Sequence, residues 1–265
     1  VNALDALDTP GEYYVDRRRG ALYFLPPDGH GDGEALVSLV EAPLIRLDGA
    51  AHVRIEGLTV EAGRGDGICI NGAEAVTVDG CVIRNLGRDG VRVDGGRGHV
   101  VSACDVYGTG DAAVRVSGGD RDTLEPCGHC VCDNELHDYA RWSVCYKPAV
   151  GGECVGARVA HNHIHHAPHC GILLTGNDNV FEFNHLHDLC LDSGDVGAWY
   201  IGRDWTQRGS VVRYNWFHDV GGVGGDANGV YLDDCASGTV VEGNIFQRVS
   251  RGVMIGGGRD NVVVG

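Results

Sequence analysis

The sequence contains few of the residues that favour helices. Its 265 residues include one methionine and one lysine, Lys147, and there is no run rich in Ala, Leu, Glu and Lys. No apolar stripe with a 3.6-residue period extends over the length of a helix. The 43 glycines and the ordinary hydrophobic content of 43% instead indicate short strands joined by tight turns.

Long apolar runs and positive charge are also scarce. No segment approaches the roughly 20 apolar residues that span a bilayer, so we expect no membrane insertion. The net charge of −16 disfavours nucleic acids and acidic membranes as partners. It also disfavours a strongly polyanionic substrate unless a cation or a local basic groove intervenes. The eleven cysteines are an odd set and do not settle the redox compartment.

A short pattern recurs along most of the chain. Its second position falls at intervals of 23, 23, 30, 28, 22, 31 and 29 residues, on Leu58, Cys81, Cys104, Asn134, Asn162, Asn184, Asn215 and Asn244. A minimum near 22 with variable excess is what a coil of three short strands and their loops requires. The sequence therefore predicts an all-β fold, a right-handed parallel β-helix of about eight coils.

Each coil carries a second strand in which apolar residues flank one variable position, as in Gly229-Val230-Tyr231-Leu232. Aligned in register, the variable positions form one outward line: Arg92, Arg115, Cys145, Leu173, Tyr200, Tyr231 and Met254. Two residues further on, a second line is predicted: Asp94, Ser117, Lys147, Thr175, Gly202, Asp233 and Gly256. We expect stacking to place Tyr200 beside Tyr231 and Asp204 near Asp233.

Residues 1–50 do not follow this repeat. Two extended segments ending at Asp16 and at Pro27 predict a β-hairpin leader, packed on a solenoid that occupies residues 51–265. The chain stops partway into a ninth coil, so we expect it to be a fragment truncated at its C-terminus.

Paired carboxylates near stacked tyrosines are the residues that glycoside cleavage requires. We predict that Asp204 pairs with Asp233 or Asp234, because neighbouring coils bring side chains to about 5 Å. Asp195 is a reserve candidate, since it precedes its strand whereas Asp233 follows its own. The alternative is that these aspartates only cap turns.

Aromatic rings and cations beside these acids would bind the sugar. The predicted substrate-binding residues are Lys147, His169, Tyr200, Arg203, Trp205 and Tyr231. His169 is included because it departs from the repeated histidine pattern and lies just before a strand.

Histidines recur three positions after the asparagine of the repeated pattern, at His137, His165, His187 and His218. Such pairs of histidine with a following polar residue could bind a metal, but their repetition in four coils favours a common turn structure. The Cys127–Cys132 segment lacks a second cysteine pair at zinc-finger spacing. We therefore expect no metal and no cofactor.

Two runs and the leader carry a resemblance to a known family. Ser193-Gly194-Asp195-Val196-Gly197-Ala198-Trp199-Tyr200-Ile201-Gly202-Arg203-Asp204-Trp205 is the first run, and Gly229–Gly238 is the second. They resemble bacterial right-handed β-helix enzymes with a pectate-lyase-like fold, in particular glycoside hydrolase family 141, which contains α-fucosidases and xylanases. The five stacked asparagines are similar to the asparagine ladder of that fold.

The resemblance implies a secreted or periplasmic monomer that hydrolyses a plant or bacterial polysaccharide or oligosaccharide through two aspartates. A polysaccharide lyase or epimerase is the second hypothesis, with Lys147 and Arg203 available to neutralise a uronate. A non-catalytic carbohydrate-binding or surface protein is the third. Fold alone does not choose among them.

Overall fold

The computed structural model describes residues 2–27 and 35–265, which form two compact units within Val1–Val37 and Ser38–Gly265. Two short 3₁₀ helices, Leu4–Ala6 and Val223–Gly225, are the helical segments of the described residues. In those two ranges, no helix has the length and apolar character that a bilayer crossing needs.

The first unit contains the predicted hairpin. Its strands β1 (Tyr13–Asp16) and β2 (Ala21–Phe24) pair antiparallel, and the turn between them ends at Gly20, whose φ is +64°. Residues 28–34 of the predicted leader lie outside the described residues. The leader's boundary at residue 50 stays a prediction, but the first solenoid strand already begins at Ile45.

The second unit consists of short strands in regular succession. In chain order they begin with β3 (Ile45–Asp48), β4 (Arg54–Glu56), β5 (Thr59–Glu61), β6 (Ile68–Asn71), β7 (Thr77–Asp79), β8 (Val82–Leu86), β9 (Val91–Asp94), β10 (Val100–Ser102), β11 (Asp105–Thr109), β12 (Val114–Gly118), β13 (Cys130–Cys132), β14 (Glu135–His137) and β15 (Val150–Val155). They continue with β16 (Arg158–Ala160), β17 (His163–His165), β18 (Ile172–Asn177), β19 (Val180–Glu182), β20 (His185–Leu189), β21 (Val196–Ile201), β22 (Val211–Arg213), β23 (Trp216–Val220), β24 (Ala227–Leu232), β25 (Val240–Glu242), β26 (Ile245–Val249), β27 (Arg251–Ile255) and β28 (Val262–Val264).

Every third strand joins the same parallel sheet. Sheet I has the order β4-β7-β10-β13-β16-β19-β22-β25-β28, sheet II has β5-β8-β11-β14-β17-β20-β23-β26, and sheet III has β3-β6-β9-β12-β15-β18-β21-β24-β27. Each strand pairs in parallel with its counterpart one coil before and one coil after, for example Val101 with Val78 and Val131. Three stacked parallel sheets are the predicted parallel β-helix, so the predicted fold class is confirmed.

The core is built from the alternate residues that point inward. In sheet II these residues form one stacked line of fully buried side chains: Ile83, Val106, Leu136, Ile164, Leu186 and Phe217. Burying a side chain of this size is worth about 1.5–3 kcal/mol. Repeated burial in every coil therefore fixes the register of the outward residues as well, because a slip of one residue would turn every side chain over.

The corner between sheets I and II follows one backbone rule. The residue before the recurring asparagine adopts a left-handed φ even where it is bulky, as at His161 (+57°), Phe183 (+55°) and Tyr214 (+56°). Each buried asparagine side chain then bonds to the next coil, and Asn184 Nδ2 donates to Asn215 Oδ1 at 2.9 Å. Equivalent bonds join all five asparagines in series: Asn134, Asn162, Asn184, Asn215 and Asn244. These bonds stabilise a corner that is strained for residues other than glycine and asparagine.

Candidate active site

Two tyrosines lie side by side on the outward face of sheet III. Tyr200 on β21 pairs with Tyr231 on β24, and their rings lie 5.5 Å apart at 65°. Both are largely buried, at 6% and 7% exposure, which leaves the rings packed and the hydroxyl groups available for polar contacts. The prediction that successive coils place Tyr200 beside Tyr231 is confirmed, and their rings meet edge to face.

The carboxylate of Asp233 lies directly beyond β24 and accepts hydrogen bonds on both oxygens. The Tyr200 hydroxyl donates to Oδ2 at 2.7 Å, and the backbone N–H of Asp234 donates to Oδ1 at 2.8 Å. Burial raises the pKa of Asp233, but these bonds, with Tyr231 and the positive charge of Arg203, outweigh burial and lower the pKa below its usual value. Asp233 is therefore ionised at neutral pH.

Asp195 reaches the same cluster through a tyrosine. The Tyr231 hydroxyl donates to Asp195 Oδ1 at 3.1 Å, and it lies close enough to Asp233 to help lower the pKa of that carboxyl. One phenol thus lies between the two carboxylates.

Asp204, expected beside Asp233, lies in a different cluster. Its oxygens accept from Thr206, through the backbone N–H at 2.9 Å and the hydroxyl at 2.6 Å, and from Arg121 at 3.0 Å. Burial raises the pKa of Asp204, but these partners lower it below its usual value. These contacts give Asp204 a structural role in the turn after β21, and its pairing with Asp233 stays a prediction.

Arg121 itself was not predicted. It lies in the long connection between β12 and β13, and it also donates to Asn177 Oδ1 at 2.9 Å and to Thr206 Oγ1 at 2.8 Å. A single arginine in a connection without periodicity gives no sequence signal for a contact that spans 83 residues.

The outward lines predicted for sheet III need one correction. Arg115 pairs with Gly151 and Ser117 pairs with Glu153, so Cys145 and Lys147 do not occupy those lines. Both precede β15, in an irregular connection. Lys147 instead lies 3.3 Å from Asp111, whose carboxylate it partly neutralises.

The predicted residues Arg203, Trp205 and Asp234 differ in how close their side chains lie to the cluster. Arg203 is exposed, and the nearby Tyr200 and Asp233 raise its pKa. Trp205 is 60% exposed and lies under the guanidinium of Arg259, 5.6 Å from the ring centre. The side chain of Asp234 is exposed, and its contribution to the cluster is the backbone N–H.

His169 joins the cluster through an aromatic residue that sequence reasoning missed. The Tyr146 ring lies 4.9 Å from the His169 ring and 6.3 Å from the Tyr200 ring. His169 is 5% exposed, and burial lowers its pKa, so the imidazole is neutral at pH 7. Tyr146 belongs to no strand, which explains why no alternation pattern revealed it.

A groove of about 370 Å³ continues from Tyr146 along the face of sheet III. Its volume lies within the range of small-molecule sites. Its lining is polar and includes Asp89, Arg115, Tyr146, Lys147, Glu153 and Thr175. The cluster of Tyr200, Tyr231, Asp195 and Asp233 and this groove are therefore linked through the Tyr146 side chain.

Buried carboxylates also occur nearer the N-terminal end, but they are occupied by the scaffold. Asp66 accepts from the backbone N–H of Asp89 at 3.1 Å, and Asp89 accepts from that of Ala112 at 3.0 Å. Burial and the neighbouring charge of Asp66 raise the pKa of Asp89. Because their oxygens cap the chain at successive coils, we assign these aspartates a structural role.

The sequence profile of a family described as "Right handed beta helix region" matches residues 42–128 and 123–265. The chain belongs to this right-handed β-helix family. No curated protein sequence matches it significantly.

Solved structures share the fold at low sequence identity. One titled "Glycoside hydrolase" has a TM-score of 0.66 and 15% identity, and the match covers 99% of this chain and 57% of that one. A mannuronan C-5 epimerase A-module from Azotobacter vinelandii has a TM-score of 0.59 and 12% identity, covering 81% and 65%. A DFA-IIIase from Arthrobacter chlorophenolicus has a TM-score of 0.54 and 14% identity, covering 77% and 54%. The matches thus span 54–65% of the length of these three proteins.

Proposed function

We propose that this chain belongs to a carbohydrate-active enzyme that cleaves glycosidic bonds, with Asp195 and Asp233 as its catalytic carboxylates. The observation that carries the proposal is the pair of adjacent tyrosines, because the Tyr231 hydroxyl donates to Asp195 and the Tyr200 hydroxyl donates to Asp233. Both acids thus belong to one cluster that neighbouring coils bring together.

The spacing of the two acids decides the stereochemical course. Retaining glycosidases hold their carboxyl groups about 5–5.5 Å apart, and inverting ones about 6.5–9.5 Å apart, to admit a water molecule. Because Asp233 is ionised beside the tyrosines, we propose that it attacks the anomeric carbon directly and that configuration is retained.

The environments of the acids assign their roles. Asp233 is 8% exposed and its pKa is lowered, so it is the ionised carboxylate that attacks the anomeric carbon. Asp195 is exposed at the edge of the cluster and is the group that protonates the leaving oxygen. Tyr231 positions both, and Tyr200 stabilises the negative charge on Asp233.

The substrate we propose is a neutral or weakly charged glycan. Tyr146 offers an exposed ring next to the cluster, as expected for a surface that stacks on sugar rings. The net charge of −16 disfavours a densely anionic polymer. The similar structures include a glycoside hydrolase, a mannuronan epimerase and a DFA-IIIase, which supports a carbohydrate substrate and, with it, an extracytoplasmic location. Membership of glycoside hydrolase family 141 and a monomeric state stay predictions.

A lyase or epimerase is the second candidate, and one observation favours it. Arg203 lies beside Asp233 and Tyr200, where it could neutralise a uronate carboxylate, and the neutral imidazole of His169 could accept the proton. In the sequence-based hypothesis, Arg203 and Lys147 shared this neutralisation of the uronate carboxylate.

The test is a panel of plant, algal and bacterial glycans, incubated with the longest available chain. Release of reducing sugar without an unsaturated product supports the hydrolase. Nuclear magnetic resonance of the first product should then show the same anomeric configuration as the substrate. An unsaturated uronate, or a change of uronate configuration, would replace this proposal with the second candidate. Binding without turnover would leave a non-catalytic carbohydrate-binding protein.

A further inference from the structure

A second set of chemically active side chains lies on sheet II, away from the candidate active site. Six histidines form two adjacent columns on its outward face, which we call the histidine array: His137, His163, His165, His185, His187 and His218. Within one column the His165 and His187 rings lie 5.0 Å apart, and the His187 and His218 rings 4.6 Å apart. In the other column the His163 and His185 rings lie 4.7 Å apart. The sequence repeat indicated only one of these columns.

The ring nitrogens of two histidines meet head-on between the columns. His163 Nε2 lies 2.7 Å from His187 Nε2. His187 Nδ1 lies 2.6 Å from Asp188 Oδ2, and an ionised carboxylate can only accept, so the proton of neutral His187 resides on Nδ1. The Nε2 atom of His187 therefore presents a lone pair to His163.

His163 is placed in a similar way. Its Nδ1 faces Glu135 Oε1 at 3.6 Å, on the opposite side of the ring from His187. When Nδ1–H points to Glu135, both Nε2 atoms present lone pairs to each other, and a metal ion between them removes their repulsion. When His163 carries its proton on Nε2 instead, it donates to His187 Nε2, and a metal ion that binds here replaces that proton.

A third donor converges on the same point. One ring nitrogen of His185 lies within 4.8 Å of the ligand atoms of His163 and His187. Three histidines leave further positions for water on a transition-metal ion, to which imidazole nitrogens bind at about 2.0–2.1 Å. The side chain of His163 is 40% exposed, so an ion reaches it directly from solvent.

We propose that the histidine array binds a divalent first-row transition-metal ion through His163, His185 and His187. Asp188 accepts from His187 Nδ1–H and so holds its Nε2 lone pair toward the ion, as carboxylates commonly do behind metal-binding histidines. The neighbouring group of Glu135, His163 and His165 shares His163 with this site and provides an alternative position for the same ion. This proposal departs from the sequence-based expectation of no metal, and it does not depend on the proposed function.

The experiment is calorimetric titration of Ni²⁺ into chelator-treated protein that carries no polyhistidine tag. Ni²⁺ is chosen because imidazole binds it well, whereas softer thiolate ligands, which the eleven free cysteines could supply, select zinc. We expect binding in the micromolar range or tighter. His163→Gln and His187→Gln should each weaken it at least 10-fold.

Two further variants separate ligation from folding. Asp188→Asn keeps all six histidines and should weaken binding by about 10–100-fold, the usual effect of losing a carboxylate behind a ligand. His161→Asn is the matched control, because His161 is exposed, has a φ of +57° that asparagine tolerates, and lies outside the array. Its affinity should equal that of the wild type. Equal affinity in the folded His163→Gln and His187→Gln variants, or no binding by the wild type, would overturn the proposal and leave a hydrogen bond between the two rings.

Discussion

Sheets II and III present two outward faces made by the same stacking, yet their chemistry differs. Sheet II repeats one residue type in successive coils, whereas sheet III changes from coil to coil and places carboxylates around two tyrosines. Burial, followed by the influence of neighbouring rings, lowers the pKa of His165 and of His185 to about 4, so these rings are neutral at pH 7. On sheet III, Asp233 is held ionised.

This difference shows how a solenoid separates two roles. Two adjacent columns of one residue type bring like ring nitrogens together between the columns, which suits an ion that several equal donors share. A site for bond cleavage needs unequal groups, and those occur where a strand of one coil ends beside a loop of the next.

The largest effect is expected from a change in the asparagine series, because these residues stabilise the scaffold that carries both faces. Asn184 makes four side-chain hydrogen bonds, two from Asn162 and one each to Val159 and Asn215. Asn184→Ala leaves these buried partners unsatisfied and should cost about 3 kcal/mol of unfolding free energy. Denaturant unfolding measures this loss.

Asn244→Ala is the matched control for that variant, since Asn244 is half-buried at the end of the series. It should cost clearly less than Asn184→Ala. An equal cost at both positions would show that the interior of the asparagine series adds nothing.

Removing the hydroxyl that lies between the two acids should affect only the face of sheet III. Tyr231→Phe keeps the ring but loses the hydrogen bond to the Asp195 carboxylate, which is worth about 1.5–3 kcal/mol. We expect kcat/KM to fall by about 10–150-fold, while Ni²⁺ affinity at the histidine array stays unchanged. A loss of both properties would mean that the variant has disturbed the fold instead of the site.

The pH dependence of stability tests a buried charge on sheet I, outside the two faces of sheets II and III compared above. Glu182 is buried and accepts from Arg158 and Arg213 at 2.8 Å each. Burial raises its pKa, but the two arginines outweigh burial and lower the pKa below its value in the unfolded chain. Ionised Glu182 therefore contributes stability above its unfolded pKa of about 4.3 and loses that contribution as the pH falls through its folded pKa.

Glu182→Gln should lower stability by about 1–2 kcal/mol at pH 7 and flatten the decline between about pH 5 and pH 3. Unfolding curves recorded across that range measure the effect. Glu242→Gln changes the next glutamate in the same line, 4.0 Å from Arg213, and should change the profile little. A parallel decline in wild type and Glu182→Gln would contradict the assignment.

The smallest effect is expected at Asp204. Because Asp204 binds Arg121 and Thr206 and lies outside the cluster around Asp233, Asp204→Asn should change kcat/KM less than about 3-fold, the effect of a surface substitution. Steady-state kinetics on the glycan found active would measure this. A loss as large as that of Asp233→Asn would restore the pairing predicted from the sequence.

Stacking register was predictable from sequence, because alternation and a common small residue recur in each coil. Tyr200 and Tyr231 were placed together correctly on that basis. Positions in the connections were not predictable: Lys147 and Tyr146 lie in a segment without periodicity before β15, and Arg121 reaches Asp204 from a long loop. No repeat pattern fixes the path of such segments.

Asp195 shows a different limit. Counting residues along a strand places it too far from Asp233, because one precedes its strand and the other follows. The count omits side-chain length: Tyr231 lies between them, and its ring carries the hydroxyl to within 3.1 Å of Asp195. A long side chain thus closes a distance that the backbone repeat leaves open.

The most direct measurement is a double-mutant cycle on kcat/KM with Asp195→Asn, Asp233→Asn and the combined variant. Groups that act as one catalytic unit give strongly non-additive losses. We predict that each single change lowers kcat/KM by about 10²–10⁴-fold. The kcat/KM of the combined variant should be close to that of the less active single variant. Losses that multiply, or wild-type turnover in either single variant, would contradict the view that neighbouring coils bring these two acids together for one reaction.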